Sequence, residues 1–358
     1  MSRRILWGLA LAAAMAACSP SASTPGPSES SESSEPSVEP SVSPSVAPSQ
    51  RETGWRELSP PGGPAAREDA TWTVGGDGSV AYVFGGRAGA SLFNDLWAYD
   101  LATDSWETVA ATGAPPPRFG HNAAWVEGTG LVVFAGQGVG GFFNDLWAFD
   151  PGAGSWRQLP AAGAAPVPRY GSCAALGPDG RLWISHGFTS ELARFDDTRA
   201  YDFATGTWTD ESPPGTAPIQ RCLHGCWWTD GELHLYGGQT DGVVALGDWW
   251  TLSGATGSGT AAWAEVPIGG SGLPARNLYA LTAYRGGHLV FGGQALDASY
   301  LADAWLIDHE GAPAAAPSGP SGRSGAEMVT DEGRDRVLLF GGRDASSHFG
   351  DVWELTVP

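Results

Sequence analysis

Lysine is missing from this chain altogether. The 19 basic residues are all arginine and are outnumbered by 39 aspartates and glutamates, for a formal net charge of -20 over 358 residues. A surface this acidic repels a phosphate backbone, so nucleic acid is excluded as a partner and an anionic ligand needs a locally basic pocket. Charge of either sign is scarce, at 16% of residues. Long apolar runs are scarce too: the one near the N-terminus, Ile5 to Ala17, has 13 residues, too few to cross a bilayer as a helix. What is abundant is glycine (52), proline (27) and tryptophan (17). That profile of many turns and large apolar side chains excludes a helical bundle. The length suits one large all-β domain or two ordinary ones.

The N-terminus reads as an export signal: Arg3-Arg4, the apolar run, then Met15-Ala16-Ala17-Cys18. These last four residues resemble the bacterial lipoprotein lipobox, with Met15 where Leu is usual. The resemblance implies a signal peptide over 1–17, lipidation of Cys18, a membrane anchor, and a location in the cell envelope outside the cytoplasm. Ser2-Arg3-Arg4-Ile5-Leu6 also resembles a twin-arginine export signal. An ordinary secretory signal cut near Ala17 is the alternative. Residues 18–50 form a tether: Ser19 to Gln50 holds 13 Ser, 7 Pro and 4 Glu, with Pro-Ser-Val recurring at Pro36, Pro40 and Pro44. Such a segment buries no core and favours extended conformations, reaching up to ~100 Å at about 3.1 Å per residue.

Residues 51–358 repeat about every 51 residues, and a period must be recognised before any residue is given a chemical role. An arginine opens each unit: Arg67, Arg118, Arg169, Arg221, Arg276 and Arg323. An apolar strand then ends in a glycine pair or its relic: Gly85-Gly86, Ala135-Gly136, His186-Gly187, Gly237-Gly238, Gly292-Gly293 and Gly341-Gly342. Third comes an aspartate before an aromatic-rich strand, at Asp95, Asp145, Asp197, Asp248, Asp303 and Asp351, and later a tryptophan at Trp106, Trp156, Trp208 and Trp263. Together these resemble the kelch repeat, which implies an all-β fold: a six-bladed kelch-type β-propeller with four antiparallel strands per blade. The chain ends on the third strand of the sixth unit, while Trp55 to Leu58 has no inner strands before it. That N-terminal strand is therefore expected to close the last blade. The fifth unit has no tryptophan between Asp308 and Arg323 and is expected to have a degenerate outer strand.

A residue type found in every blade is explained first by the scaffold. The six aspartates are expected to accept backbone hydrogen bonds at turns, and Trp97, Trp147, Trp305 and Trp353 to pack between blades. The six opening arginines have two readings: a basic ring around the channel mouth that binds a ligand, as arginines of acidic-peptide-binding kelch propellers do, or pairs with aspartates of their own or the next blade. Their rim also carries the variable loops, where Phe142, Tyr300 and His348 are candidate contacts. Cys222, His224 and Cys226 alternate along an expected inner strand, a spacing able to hold a metal, although His224 occupies the place of His121. Cys222 and Cys226 lie too far apart along an extended strand to bond, whereas Cys173 and Cys226 sit at similar height on adjacent inner strands and are the expected disulfide. Glu327, Asp331 and Asp335 resemble the iron-binding spacing of kelch-type specifier proteins but lack its histidine, and Asp331-Glu332-Gly333 reads as a hairpin turn.

No nucleophile triad, phosphate loop or zinc signature appears, so no cofactor is expected. The resulting expectation is a monomeric surface lipoprotein whose propeller binds an extracellular protein or glycan, one that bears a carboxylate. The alternatives are a carbohydrate-active enzyme resembling the sialic acid mutarotases or galactose oxidase, and a structural envelope component. Galactose oxidase needs a Tyr, His and Cys copper site, which Tyr170, Cys222 and scattered histidines do not spell out in sequence.

Overall fold

Each unit of about 51 residues builds one blade around antiparallel strands, the strand nearest the axis coming first in sequence; blade 3 adds a short fifth strand, Ala162–Gly163, parallel to its outer one. A computed structural model describes residues 53–357 apart from 190–192, 243, 257–259, 269–271 and 309; Cys18, the signal and the whole of the tether fall outside the described residues. Blade 2 gives the pattern: Asn122–Val126, Gly130–Phe134, Leu146–Asp150 and Ser155–Gln158, paired in that order from axis to rim. Six such sheets make a β-propeller, and no α-helix occurs among the described residues. The second strand is buried on both faces, which explains its unbroken apolar run Gly130-Leu-Val-Val-Phe134.

The sixth blade takes its outer strand from the other end of the chain. Gly54–Leu58 pairs antiparallel with Val352–Thr356, Trp55 opposite Leu355. Adjacent blades cover each other's apolar faces through aromatic contacts. The outer-strand tryptophan of one blade meets the aromatic ending the second strand of the blade before: Trp106 on Phe340 at 5.3 Å, Trp156 on Phe84 at 4.8 Å, Trp208 on Phe134 at 5.1 Å and Trp55 on Phe291 at 5.1 Å. Blade 5 differs from the expectation: Pro313–Ala316 is a regular four-residue outer strand paired with Ala304–Ile307. What it lacks is the tryptophan, because backbone pairing alone can hold an edge strand whose side chains are alanine.

Around the axis runs a feature the repeat did not announce. Two residues after each opening arginine the backbone takes a positive φ, at Asp69, Gly120, Gly171, Leu223, Leu278 and Gly325. These six residues hydrogen-bond head to tail: Gly120 N to Asp69 O, Gly171 N to Gly120 O, Leu223 N to Gly171 O, Leu278 N to Leu223 O, Gly325 N to Leu278 O, and Asp69 N to Gly325 O, all between 2.7 and 3.1 Å. The result is a closed belt of backbone hydrogen bonds linking every blade to the next at the neck of the channel.

Candidate functional site

The opening arginines line no open ring. Their side chains are withdrawn from solvent, at 0–1% exposure, and each grips its own blade. Arg118 donates from Nε to Pro116 O, from Nη1 to Ala135 O and Asp145 Oδ1, and from Nη2 to Asp145 Oδ2 at 2.9 Å. The same fork is built by Arg67 on Asp95, Arg169 on Asp197, Arg221 on Asp248, Arg276 on Asp303 and Arg323 on Asp351. The carbonyl received by Nη1 belongs to the first residue of the glycine pair, whose positive φ turns it inward; Ala135 and His186 adopt this conformation too, at φ 61° and 59°. A planar guanidinium with five donors fits such a bidentate site, and lysine does not.

The aspartates are therefore arginine acceptors, not the turn acceptors expected from sequence. They also take the indole N–H two residues on, at Trp97, Trp147, Trp250, Trp305 and Trp353; in blade 3, Arg199 Nε replaces it. Burial pushes the carboxyls of Asp95, Asp197, Asp248 and Asp303 up, but the arginine bonds outweigh it and hold them below the usual carboxylate range.

The residues that follow these signatures differ from blade to blade and meet at the channel mouth. Glu68 and Asp69 follow Arg67; Arg87 and Arg343 follow the glycine pairs of blades 1 and 6. Arg87 Nε lies 3.1 Å and Arg343 Nε 2.9 Å from the Glu68 carboxylate, and Arg87 Nη2 is 3.2 Å from Asp69. Neither Nε is aligned for a hydrogen bond, so these are ion pairs held by charge; the two arginine side chains are 28% and 36% exposed. His348 Nε2 is 3.4 Å from Glu68 and accepts from Gly89 N. Burial and the charge of Glu68 push Asp69 up to about 7, against the pull of Arg87. The rest of the mouth is aromatic: Arg87 lies over Phe119, which meets Tyr170, while Phe142 meets Phe188 and Arg194 pairs with Asp241. Tyr300 is half-buried in the blade 5 loop, where it pairs with Gln294.

Apolar side chains are exposed on part of this face. Six large hydrophobic residues are exposed among the described residues: Val139, Val167, Leu176, Ile219, Val244 and Leu296. Five stand at loops on the arginine side, and Leu176 alone ends an inner strand at the opposite side.

The candidate metal set does not assemble. Leu223, at φ 60°, breaks the strand, which starts only at Gly225. Cys226 is joined to Cys173 by a disulfide with Cα atoms 5.7 Å apart, Cys222 is a buried free thiol beside Gln239 O, and His224 is buried, its imidazole kept neutral by desolvation. No group of three or more His, Cys, Asp or Glu placed to hold a metal occurs among the described residues.

A description of the KLHDC2/KLHL20/DRC7 Kelch-repeats domain matches residues 49–238, more than half of the chain. This is a kelch-repeat protein. It is similar to the human leucine-zipper-like transcriptional regulator 1, 26% identical over 327 residues that cover 85% of this chain and 32% of that protein. It is also similar to kelch domain-containing protein 10 of Xenopus laevis, 30% identical over 60% of this chain and 53% of that one. The chain thus spans about a quarter to a third of the first curated relatives it matches. Among solved structures, that of YjhT superposes with a TM-score of 0.67 at 18% identity, covering 83% of this chain and 97% of that one; the likeness is one of fold. The arginine forks repeat in all six blades, whereas Glu68, Asp69, Arg87, Arg343, His348 and the exposed loop tips do not recur in every blade.

Proposed function

We propose that this kelch propeller is a binding module whose loop face docks a partner protein outside the cell, anchored through Cys18 and held off the membrane by residues 18–50. The observation that carries this reading is the one-sided exposure: Val139, Val167, Ile219, Val244 and Leu296 are exposed in loops on the arginine side, from blade 2 to blade 5. Exposed apolar tips around a polar centre are what a protein interface uses, a hydrophobic contact zone with charged groups that fix register. Arg87 and Arg343 supply the charge. Their misaligned contacts with Glu68 favour a partner that brings a carboxylate able to take both forks squarely. The test is capture of envelope proteins by the purified propeller with three substitutions compared. Val139→Ser with Leu296→Ser, and Arg87→Ala with Arg343→Ala, are each expected to abolish capture of the same partner, while Leu176→Ser on the opposite side leaves it intact. Capture lost equally with Leu176→Ser, or retained in both loop-face variants, overturns the reading.

A further inference from the structure

Below the backbone belt the channel holds a carboxyl group that nothing in the protein engages. At five of the six junctions between inner strands a side chain bridges the blades. Thr71 Oγ1 meets His121 Nε2 at 3.1 Å across blades 1 and 2. Asn122 and Ser172 exchange two bonds of 2.8 Å across blades 2 and 3, and the Cys173–Cys226 disulfide joins blades 3 and 4. The Tyr279 hydroxyl takes Gly225 N and donates to Tyr236 O across blades 4 and 5, and Thr282 meets Thr330 across blades 5 and 6. Across blades 6 and 1 no such bridge occurs among the described residues. There stands Glu327, in the middle of Ser324–Asp331.

Glu327 borders both channel cavities. One of about 130 Å³ also has Asp69 in its wall, and the other, of about 250 Å³, is lined by Thr71, Asn122, Ser172 and Tyr279. No arginine lines either cavity, and the two imidazoles there, His121 and His224, are kept neutral by burial. Burial and the nearby Asp69 charge push Glu327 up to about 8: a carboxyl facing another carboxyl without a counter-charge.

We propose that the channel binds a protonated nitrogen, an ammonium or guanidinium group, held between Glu327 and Asp69 with Asn122 and Thr71 as further acceptors. The chemistry follows from the wall. Carboxyl, amide and hydroxyl oxygens accept from N–H donors, the acidic protein draws cations toward its channel, and a cation supplies the counter-charge that Glu327 lacks, Asp69 having Arg87 at 3.2 Å. The volumes suit one such group with a short alkyl stem, either on a free amine or on a Lys or Arg side chain of a bound segment.

The experiment titrates the full chain with butylammonium chloride and, separately, with the peptide Gly-Gly-Lys-Gly-Gly, using butanol and sodium chloride as controls, and follows binding by calorimetry. Saturable binding of butylammonium identifies a free amine as the ligand chemistry, and binding of the peptide alone identifies a side chain. In either case Glu327→Gln and Glu327→Met are expected to weaken binding at least tenfold while melting no lower than the parent, since both remove an unpartnered carboxyl. Absence of saturable binding by both probes, equal affinity in the variants, or a lower melting temperature in both variants overturns the proposal; the last would make Glu327 part of the scaffold.

Discussion

An arginine whose side chain is fully withdrawn from water must have its charge and its donors answered by the protein, and Arg118 shows how completely this can be done. Its Nε, Nη1 and Nη2 reach two carbonyls and both oxygens of Asp145, and its guanidinium lies 4.2 Å over the Phe143 ring. Removing one member of a buried, hydrogen-bonded pair leaves the other uncompensated, at about 3–5 kcal/mol. Arg118→Ala should therefore lower stability by about that amount in urea titrations. Arg118→Lys should restore little, because an ammonium cannot bridge both carboxylate oxygens and the carbonyl together. The exposed Arg157→Ala should stay within about 0.5 kcal/mol. The periodic arginines and aspartates were visible in the sequence, and so was the possibility of their pairing. The direction in which the arginines point was not, because it depends on a carbonyl turned inward by a positive φ, a conformation that Ala135 and His186 adopt with no signature of their own. The same holds for the mouth: Glu68, Arg87 and Arg343 are unremarkable singly, and only closure of the ring brings residues from the first and last blades together.

At the scale of the element, the inner strands differ most from the pattern. The Cys222, His224 and Cys226 alternation implied one extended strand with three side chains on one face; the left-handed Leu223 interrupts it, because the backbone belt needs that geometry in every blade. A repeat of glycine at this place in three blades was a signal, but Asp69, Leu223 and Leu278 concealed it. The disulfide between the inner strands of blades 3 and 4 closes a separation of 53 residues. By loop entropy such a bridge contributes about 2–4 kcal/mol. Cys173→Ala with Cys226→Ala should lower stability by about this amount, and reduction of the parent should do the same. Cys222, buried, should resist alkylation until the fold opens. Mass mapping that found Cys222 in the disulfide would refute the assignment.

For the whole molecule, the decisive step is closure of the ring, since each sheet has two apolar faces and only a complete circle covers all twelve. The ends meet at one blade: Gly54–Leu58 pairs with Val352–Thr356 across 298 residues, as measured by Arg56 and Glu354. Trp55 donates to Pro317 O and packs on Phe291, and Arg56 meets Glu354 at 2.7 Å. The neighbouring seam, between blades 6 and 1, is clasped by Arg336, 2% exposed, which reaches Asp104 at 2.6 Å, Asp331 at 2.9 Å and Glu354 at 2.9 Å. Contacts of such long sequence separation form late, because the loop they close is nearly the whole chain. Without the first strand, the third strand of blade 6 is left as an open edge and Phe291 loses its cover. Deletion of residues 51–60 should thus destabilise all six blades together, seen as loss of a cooperative melting transition in circular dichroism. Deletion of residues 19–50, a Ser- and Pro-rich stretch whose composition buries no core, should leave the melting temperature unchanged. Equal melting temperatures for the two truncations would mean that five full blades and a three-stranded sixth hold the ring unaided, and that the terminal strand closes it without stabilising it.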